Sequence, residues 1–386
     1  MTKSEDCMEI RYDFEYLIHL LYCAIHDVQP QEKPAHISFE NVFELGKMHE
    51  VGNIAFLSVD RLREKPEPAL YNEWQVFYFH SVQRNARQLA EYGAITKLLT
   101  ENDIRWTEAQ GTVTKTIYPH PEWRMMSDMD FLIDEENIPK VREIMTALGH
   151  EVHYKENENE VNVYPEKGTA IEFHHDFFTE FYEGSFERYS GAMNSPFLHA
   201  VPDEENSHKW ILDTTYYYMY TLLHTIKHYE YAGCGIRRIL DLYYLRKTLS
   251  DKVDHDLLEA AFEKYHFTAL RDTLFALEEF WFEDKPADFD LTETAIDIVR
   301  SGNHGTADFF LRNSLRRDAD DSMQKAKLRR MKRFLFPSLE ELYEGHPAYK
   351  EKGYSLLKCR VLRAAEHFRP SEIKKMLHFF KRIKNS

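Results

Sequence analysis

The stretch IRWTEAQGTVTKTIYPHPEWRMMSDMDFLID (104–134) contains two β-like runs with a glycine turn between them. The first run is IRWTEA (104–109), and the second is MDFLID (129–134). Between them, TVTKTIY begins like a helix directly after Gly111. This order of strand, turn, helix start and strand indicates the beginning of a mixed α/β unit.

Further β-like runs follow. They are EVHYK (151–155), VNVYP (161–165) and TAIEFHH (169–175), and IPKVREIMTALG (138–149) has a helical pattern that ends at a glycine. Short runs rich in β-branched and aromatic residues are typical of strands. Residues 104–182 are therefore predicted to form a small mixed sheet.

Both flanks of this unit are predicted to be helical. Before it, apolar residues three and four positions apart predict helices at 6–26, 39–48, 51–64 and 72–100. After residue 207 the pattern stays helical, with breaks at 233–235, 284–290 and 336–338. The predicted fold class is α+β, with a core at 72–182, an N-terminal helical region at 1–71 and a C-terminal helical domain at 183–386.

Composition favours a folded protein in a reducing compartment. The 386 residues include 43% hydrophobic and 14% aromatic side chains, more than a disordered chain would hold. The four cysteines form no CxxC pair, and the first ten residues are acidic, unlike a secretory signal. We therefore expect a cytoplasmic protein that does not insert into a membrane.

Charge is distributed unevenly along the chain. The net charge of −16 opposes binding to nucleic acid and to anionic membranes. Residues 321–386 nevertheless hold 17 Lys and Arg against 7 Asp and Glu, including RRMKR (329–333). This tail would either dock on the acidic body or meet an anionic partner. Nucleic acid is the less favoured partner, because runs of Lys and Arg on helices are usually solvated.

Asp128 and Asp130 are two residues apart, directly before the apolar run FLI. On a strand, alternation places both carboxylates on one face and turns Met129 and Phe131 into the core. Two converging carboxylates repel each other unless a cation joins them, and hard oxygen ligands suit Mg²⁺ or Mn²⁺. The alternative is a solvated turn that happens to contain two acids.

Two further elements extend this hypothesis. Gly111 and Thr112 lie at a strand-to-helix turn, where backbone N–H groups approach phosphate oxygens. Glu172 lies in TAIEFHH, where it would supply a third carboxylate for a metal site that promotes in-line phosphoryl transfer. On that strand His174 would share the face of Glu172 and would hydrogen-bond substrate or metal-bound water.

Together these segments resemble the DNA polymerase β-like nucleotidyltransferase superfamily, and more closely the bacterial family of uncharacterised nucleotidyltransferases. The residues that carry the resemblance are GTVTKTIYPHPEWRMMSDMDFLID, TAIEFHHDF, LLHTIKHYEYAGCGIRRILDLYYL and FLFPSLEELYEGHP. The central segment is fairly specific, and the helical segments are less so. The resemblance implies that the predicted sheet unit is a nucleotidyltransferase core.

The resemblance implies a role for each matching residue. It implies phosphate contact at Gly111 and Thr112, and metal binding and catalysis by Asp128, Asp130 and Glu172. Arg124 matches an arginine that usually precedes the Asp pair, so it is predicted to bind nucleotide. The chain departs from the family pattern at Gln110, where a lysine is usual, and Lys115 is predicted to supply the missing cation.

The helical segment after residue 214 offers further candidates. His224 and His228 lie four residues apart and would share one helix face, which suits either a transition metal or a polar face against the sheet. Arg237 or Arg238 is predicted to contact phosphate, with Arg237 preferred. A structural pair between one of these two arginines and Asp241 is the alternative.

The predicted function is transfer of a nucleoside monophosphate from a nucleoside triphosphate to an acceptor, with release of pyrophosphate. The implied cofactor is Mg²⁺ or Mn²⁺. The partners are the triphosphate and an unknown acceptor, which would be a small molecule, a carrier or a protein. Two alternatives stay open: a degenerate fold that binds nucleotide or protein without turnover, which Gln110 favours, and an RNA-directed enzyme, which the basic tail favours.

Overall fold

The computed structural model describes most of the chain. The described residues are 3–108, 110–155, 160–178, 186–193, 195–287, 289–317, 322–339, 342–343, 346, 349–350 and 352–367. They form two compact units, one of Met1–Lys227 with Cys234–Asn303 and one of His228–Gly233 with His304–Ser386. Much of the predicted basic tail, including residues 368–386, lies outside the described residues.

A seven-stranded mixed sheet lies in the first unit, in the order β3-β4-β5-β2-β1-β7-β6. Its strands are β1 (Trp106–Glu108), β2 (Asp128–Ile133), β3 (Glu151–Lys155), β4 (Glu160–Tyr164), β5 (Ala170–His174), β6 (Ala200–Pro202) and β7 (Lys209–Leu212). The β2–β5 and β1–β7 pairs are parallel, and the other neighbours are antiparallel. Helices together with a mixed sheet confirm the predicted α+β class.

Helices precede and follow the strands. Those up to residue 301 are α1 (Lys3–Ile25), α2 (Phe39–Met48), α3 (Gly52–Val59), α4 (Pro68–Glu101), α5 (Thr112–Lys115), α6 (Ile138–Ala147), α7 (Phe186–Ala192), α8 (Thr214–Tyr231), α9 (Ile236–Leu249), α10 (His255–Lys264), α11 (Thr268–Phe282) and α12 (Thr292–Ser301). The second unit contains α13 (Ala307–Arg317), α14 (Met323–Leu335) and α15 (Leu356–His367). No helix among the described residues is both long enough and apolar enough to cross a membrane.

The core beneath the sheet fixes which way β2 faces. Met129, Phe131 and Ile133 are buried in a cluster with apolar residues of α4 and α6. The ring of Phe131 stacks on that of Phe173 from β5, with 5.6 Å between centroids. Because side chains alternate along a strand, burying these residues turns Asp128 and Asp130 to the opposite face.

The sheet continues beyond residue 182. Strands β6 and β7 lie in a region where the sequence pattern predicts a C-terminal helical domain. They are three and four residues long, and several of their side chains are exposed, so they lack the apolar alternation that indicates a strand. The three-part division of the chain stays a prediction.

Candidate functional site

The parallel pairing of β2 with β5 builds the candidate site. In this register Asp130 lies opposite Glu172, and Leu132 lies opposite His174. Alternation puts Asp128, Asp130, Glu172 and His174 on the same face of the sheet, away from the apolar core. Two segments more than forty residues apart in sequence therefore bring their polar side chains together.

Three of these side chains form a group able to hold a metal ion. One possible ligand atom from each of Asp130, Glu172 and His174 lies within 4.8 Å of the other two. The Nε2 atom of His174 is 3.4 Å from Oδ1 of Asp130 and 3.5 Å from Oε2 of Glu172. The group combines two carboxylates with one imidazole.

A third carboxylate at this group comes from Glu160, a residue that the sequence analysis missed. Strand β4 pairs antiparallel with β5, so that Glu160 lies opposite His174. Oε2 of Glu160 is 3.4 Å from Nδ1 of His174. The alternation of EVNVY indicates that Glu160 and Asn162 face away from the buried valines. It does not show that Glu160 lies beside His174, because that requires knowledge of the strand order.

The electrostatics of the site reflect crowded acids. Burial and, after it, the charge of Asp130 raise the pKa of Asp128, although Arg237, the hydrogen bond from Ser127 and Arg238 oppose the shift. Burial also raises the pKa of Glu172, and Asp130 adds to that effect. Burial alone would lower the pKa of His174, but its carboxylate partners raise it well above the usual value. The imidazolium therefore partly offsets the negative charge.

Asp128 lies at the margin of this group. Its carboxylate accepts a hydrogen bond from the hydroxyl of Ser127 at 3.1 Å. Among the described residues it is not part of the three-residue ligand group, although it shares a strand face with Asp130. The sequence predicts a metal site of Asp128, Asp130 and Glu172, whereas the structure brings Asp130 and Glu172 together with His174.

The turn before the Asp pair depends on a glycine. Gly111 has a φ of +70°, and a Cβ atom there would lie 2.7 Å from Sδ of Met126. Other residues would meet both an unfavourable backbone conformation and a steric clash. The half-buried Thr112 begins α5 directly after this glycine. Both residues predicted to contact phosphate therefore lie in the connection between β1 and β2.

Arg124 holds this turn in place through buried hydrogen bonds. Its guanidinium is buried and binds both oxygens of Asp241, with Nε 2.8 Å from Oδ1 and Nη2 3.1 Å from Oδ2. It also donates to the carbonyl of Gly111 at 3.4 Å. Tyr118 donates to the same Asp241 at 2.7 Å. Asp241 therefore pairs with Arg124, rather than with Arg237 or Arg238 as weighed from the sequence. The predicted contact of Arg124 with nucleotide stays a prediction.

Lys115 is also buried rather than directed into an open cleft. Its ammonium donates to Oδ1 of Asn85 at 2.7 Å and to Oε1 of Gln88 at 3.0 Å, both on α4. Burial and the nearby Arg124 lower the pKa of Lys115 to about 7. The amide of Gln88 donates in turn to the carbonyl of Met126. Lys115 therefore connects α4 with the turn, and its predicted contact with nucleotide stays a prediction.

Helix α9 places two neighbouring arginines near the carboxylates. Nη1 of Arg237 is 2.8 Å from Oε2 of Glu50, and the same nitrogen donates to the carbonyl of Met125. Nη1 of Arg238 is instead 3.3 Å from Nδ1 of His224 on α8. Among the described residues, neither His224 nor His228 belongs to a group of three possible metal ligands. Arg237 has a carboxylate partner already, so its predicted phosphate contact would have to compete with Glu50.

The residues of this site lie within a region of the chain that matches a known protein family. A family model described as "Uncharacterised nucleotidyltransferase" matches residues 35–282, which is more than half of the chain and includes the sheet and α8 to α11. No curated protein and no solved structure matches the chain. The match contains every residue of the ligand group, both residues of the glycine turn and both arginines of α9. The chain therefore belongs to the uncharacterised nucleotidyltransferase family.

Proposed function

We propose that this protein is a metal-dependent nucleotidyltransferase that moves a nucleoside monophosphate from a nucleoside triphosphate to an acceptor and releases pyrophosphate. The observation that carries the proposal is the convergence of Asp130, Glu172 and His174 within 4.8 Å, on two parallel strands of a nucleotidyltransferase-family chain. We also propose that the sheet unit belongs to the DNA polymerase β-like superfamily, as the Gly-Thr and Asp-x-Asp pattern suggests.

The donor atoms at the site fit a hard divalent cation. Carboxylate oxygens of Asp130 and Glu172 are the ligands that Mg²⁺ and Mn²⁺ prefer, and Asp128 on the same face would add a third. Burial, and after it the charge of Asp130, raises the pKa values of Asp128 and Glu172, and a bound cation would favour their charged forms. When bound, the ion would neutralise phosphate charge and ease loss of the acceptor's hydroxyl proton.

The other site residues take supporting roles in this proposal. The first N–H groups of a helix have no carbonyl acceptor within that helix, so those at the start of α5, beside Gly111, would donate to phosphate oxygens. Arg124 and Lys115 hold that turn against α9 and α4. His174 orients the carboxylates through its two ring nitrogens. Precise placement of these groups matters because phosphoryl transfer relies on positioning and charge.

The direct test is turnover with an α-labelled triphosphate and an extract that supplies the acceptor. We expect Mg²⁺-dependent transfer of label and release of pyrophosphate by the wild-type protein. Asp130→Asn and Glu172→Gln should abolish both signals. Asp134→Asn is the matched control, because Asp134 follows β2 but pairs with Arg105 outside the ligand group. Label transfer that survives Asp130→Asn would contradict the proposal.

A second candidate function is nucleotide binding without turnover. Gln110 favours it, because it is buried at the position where the family pattern has a lysine. Binding of MgATP with no pyrophosphate release in any extract would support this alternative. The RNA-directed reading would require that nuclease treatment of the extract removes the acceptor.

We also propose a cytoplasmic location. Cys23, Cys234 and Cys359 are unpaired buried thiols, as expected in a reducing compartment. Nucleoside triphosphates are abundant in the cytoplasm, so the proposed substrate would be available to the protein.

A further inference from the structure

Arg238 differs from the other buried arginines of the first unit. Its side chain is 7% exposed, and within the described part of the chain its hydrogen bond is with Nδ1 of His224. Its buried Nε has no hydrogen-bond partner, a property that it shares with Arg237, but among the described residues no carboxylate lies within ion-pair distance of Arg238. By contrast, Arg124 pairs with Asp241, and Arg246 pairs with Glu278 and Glu279.

A buried guanidinium without an anion is unfavourable. It has lost hydration and gained neither a carboxylate nor a full set of acceptors. Burial and the adjacent Arg237 lower the pKa of Arg238 to about 10. The folded protein therefore keeps a positive charge whose electrostatic cost an anionic ligand would relieve.

The charge of Arg238 acts on residues of the candidate site and of α8. Its charge acts on Asp128 and opposes the rise in that residue's pKa. On α8, the pKa of Lys227 is lowered to about 8, first by burial and then by Arg238, while Asp130 opposes the shift. Arg238 contacts α8 through His224 and is near enough to Asp128 and Lys227 for its charge to act on both. An anionic ligand held at the carboxylate group through a cation would be attracted by this charge.

We propose that Arg238, rather than Arg237, is the residue of α9 that binds the phosphate chain of the nucleoside triphosphate. A guanidinium offers several donors in a planar fork, and phosphate is the anion that this fork matches best. Arg237 lacks this freedom because Glu50 and the carbonyl of Met125 occupy it. The inference names the phosphate-binding residue of the active site proposed above, and it rests on that proposed function.

The test compares ligands that differ in phosphate number. Calorimetry with ATP, ADP, AMP and inorganic tripolyphosphate should show wild-type affinity rising with the number of phosphates. Arg238→Met should weaken ATP binding by roughly 30-fold or more, as for other buried charged contacts, and should flatten the dependence on phosphate number. Arg238→Lys should lie between, because it keeps the charge without the fork. The matched control is Arg246→Gln on the same helix, which should bind ATP like the wild type.

Melting of the ligand-free protein supplies a second readout. Arg238→Met removes an unpaired buried charge, so its melting temperature should hold or rise, whereas a merely structural arginine would lower it. Arg246→Gln should melt earlier, since Glu278 loses its partner. Wild-type ATP affinity in Arg238→Met would overturn the inference, as would a lower melting temperature with unchanged dependence on phosphate number.

The two proposals fail in different ways. If Asp130→Asn keeps metal binding and label transfer, the proposed function fails. Binding of tripolyphosphate that depends on Arg238 would in that case still support the anion site. If Asp130→Asn abolishes transfer while Arg238→Met binds ATP normally, the proposed function stands and this inference is wrong.

Discussion

Asp130 of β2 lies opposite Glu172 of β5 in a parallel pair, and His174 contacts both carboxylates from the same face. The arrangement requires that one face of the strands be apolar and the other polar. Met129 and Phe131 satisfy the first requirement by packing on α4 and α6. The same alternation that builds the core therefore concentrates negative charge on the face where the proposed chemistry occurs.

A side chain at Gly111 should destabilise the turn. We predict that Gly111→Ala lowers the free energy of unfolding by about 1–3 kcal/mol, because φ is +70° and the new Cβ would clash with Met126. Urea denaturation measures the difference. Gly93→Ala is the control, since Gly93 lies within α4 with open space around it, and there the substitution should stabilise by about 1 kcal/mol. Equal effects at both positions would contradict the account of the turn.

The buried pair of Arg124 and Asp241 should be far more sensitive than a surface pair. We predict that Arg124→Met costs about 3–5 kcal/mol of stability, because it leaves Asp241 buried without its cation. Arg124→Lys should rescue little, since an ammonium cannot bind both carboxylate oxygens in the same fork. Chemical denaturation of the single variants and of Arg124→Met with Asp241→Leu measures the effect.

The double variant should recover much of the stability lost by Arg124→Met, since no charge is then left unpaired. Arg105→Gln is the control, because Arg105 pairs with Asp134 near the surface and should cost at most about 1 kcal/mol. If Arg124→Met and Arg105→Gln destabilise equally, the pair with Asp241 does not organise the turn.

His49 should make stability depend on pH. Its Nδ1 accepts from the backbone N–H of Ile236 and its Nε2 is 3.2 Å from the carbonyl of Val299, so the neutral ring fits its partners. Burial lowers the pKa of His49 from 6.5 to about 4. The unfolded chain therefore binds a proton at a pH where the folded protein does not. The contribution of His49 is full above pH 6.5 and is lost as the pH falls towards 4.

The expected loss over that window is about 3 kcal/mol, at about 1.4 kcal/mol for each pKa unit. Urea denaturation between pH 7 and pH 4 measures it as the difference between the wild type and His49→Gln. That difference should shrink as the pH falls, because the substituted protein no longer gains a proton on unfolding. A difference that stays constant with pH would show that His49 is not held neutral.

The sequence predicted the strands that carry the site residues, but it did not predict which distant residues contact them. Alternation in SDMDFLI and TAIEFHH was enough to place Asp130, Glu172 and His174 on polar faces. It was not enough to identify Glu160, because strand order depends on contacts between distant segments. The partner of Arg124 was missed for the same reason, since Asp241 lies 117 residues away. The sequence favoured Arg237 over Arg238 as the phosphate contact, but it could not show that Glu50 and the carbonyl of Met125 already bind Arg237.

The most direct test of the central claim is calorimetric titration of Mn²⁺ and then ATP into the wild type, Asp130→Asn and Glu172→Gln. We expect the wild type to bind Mn²⁺, and we expect ATP to bind tightly only when the ion is present. Both variants should lose these signals while they remain folded, because each substitution keeps the shape of the side chain and leaves the other carboxylates to pair with His174. Asp134→Asn should behave like the wild type. Unchanged binding of Mn²⁺ and ATP by Asp130→Asn would contradict the claim that this carboxylate group is the metal site.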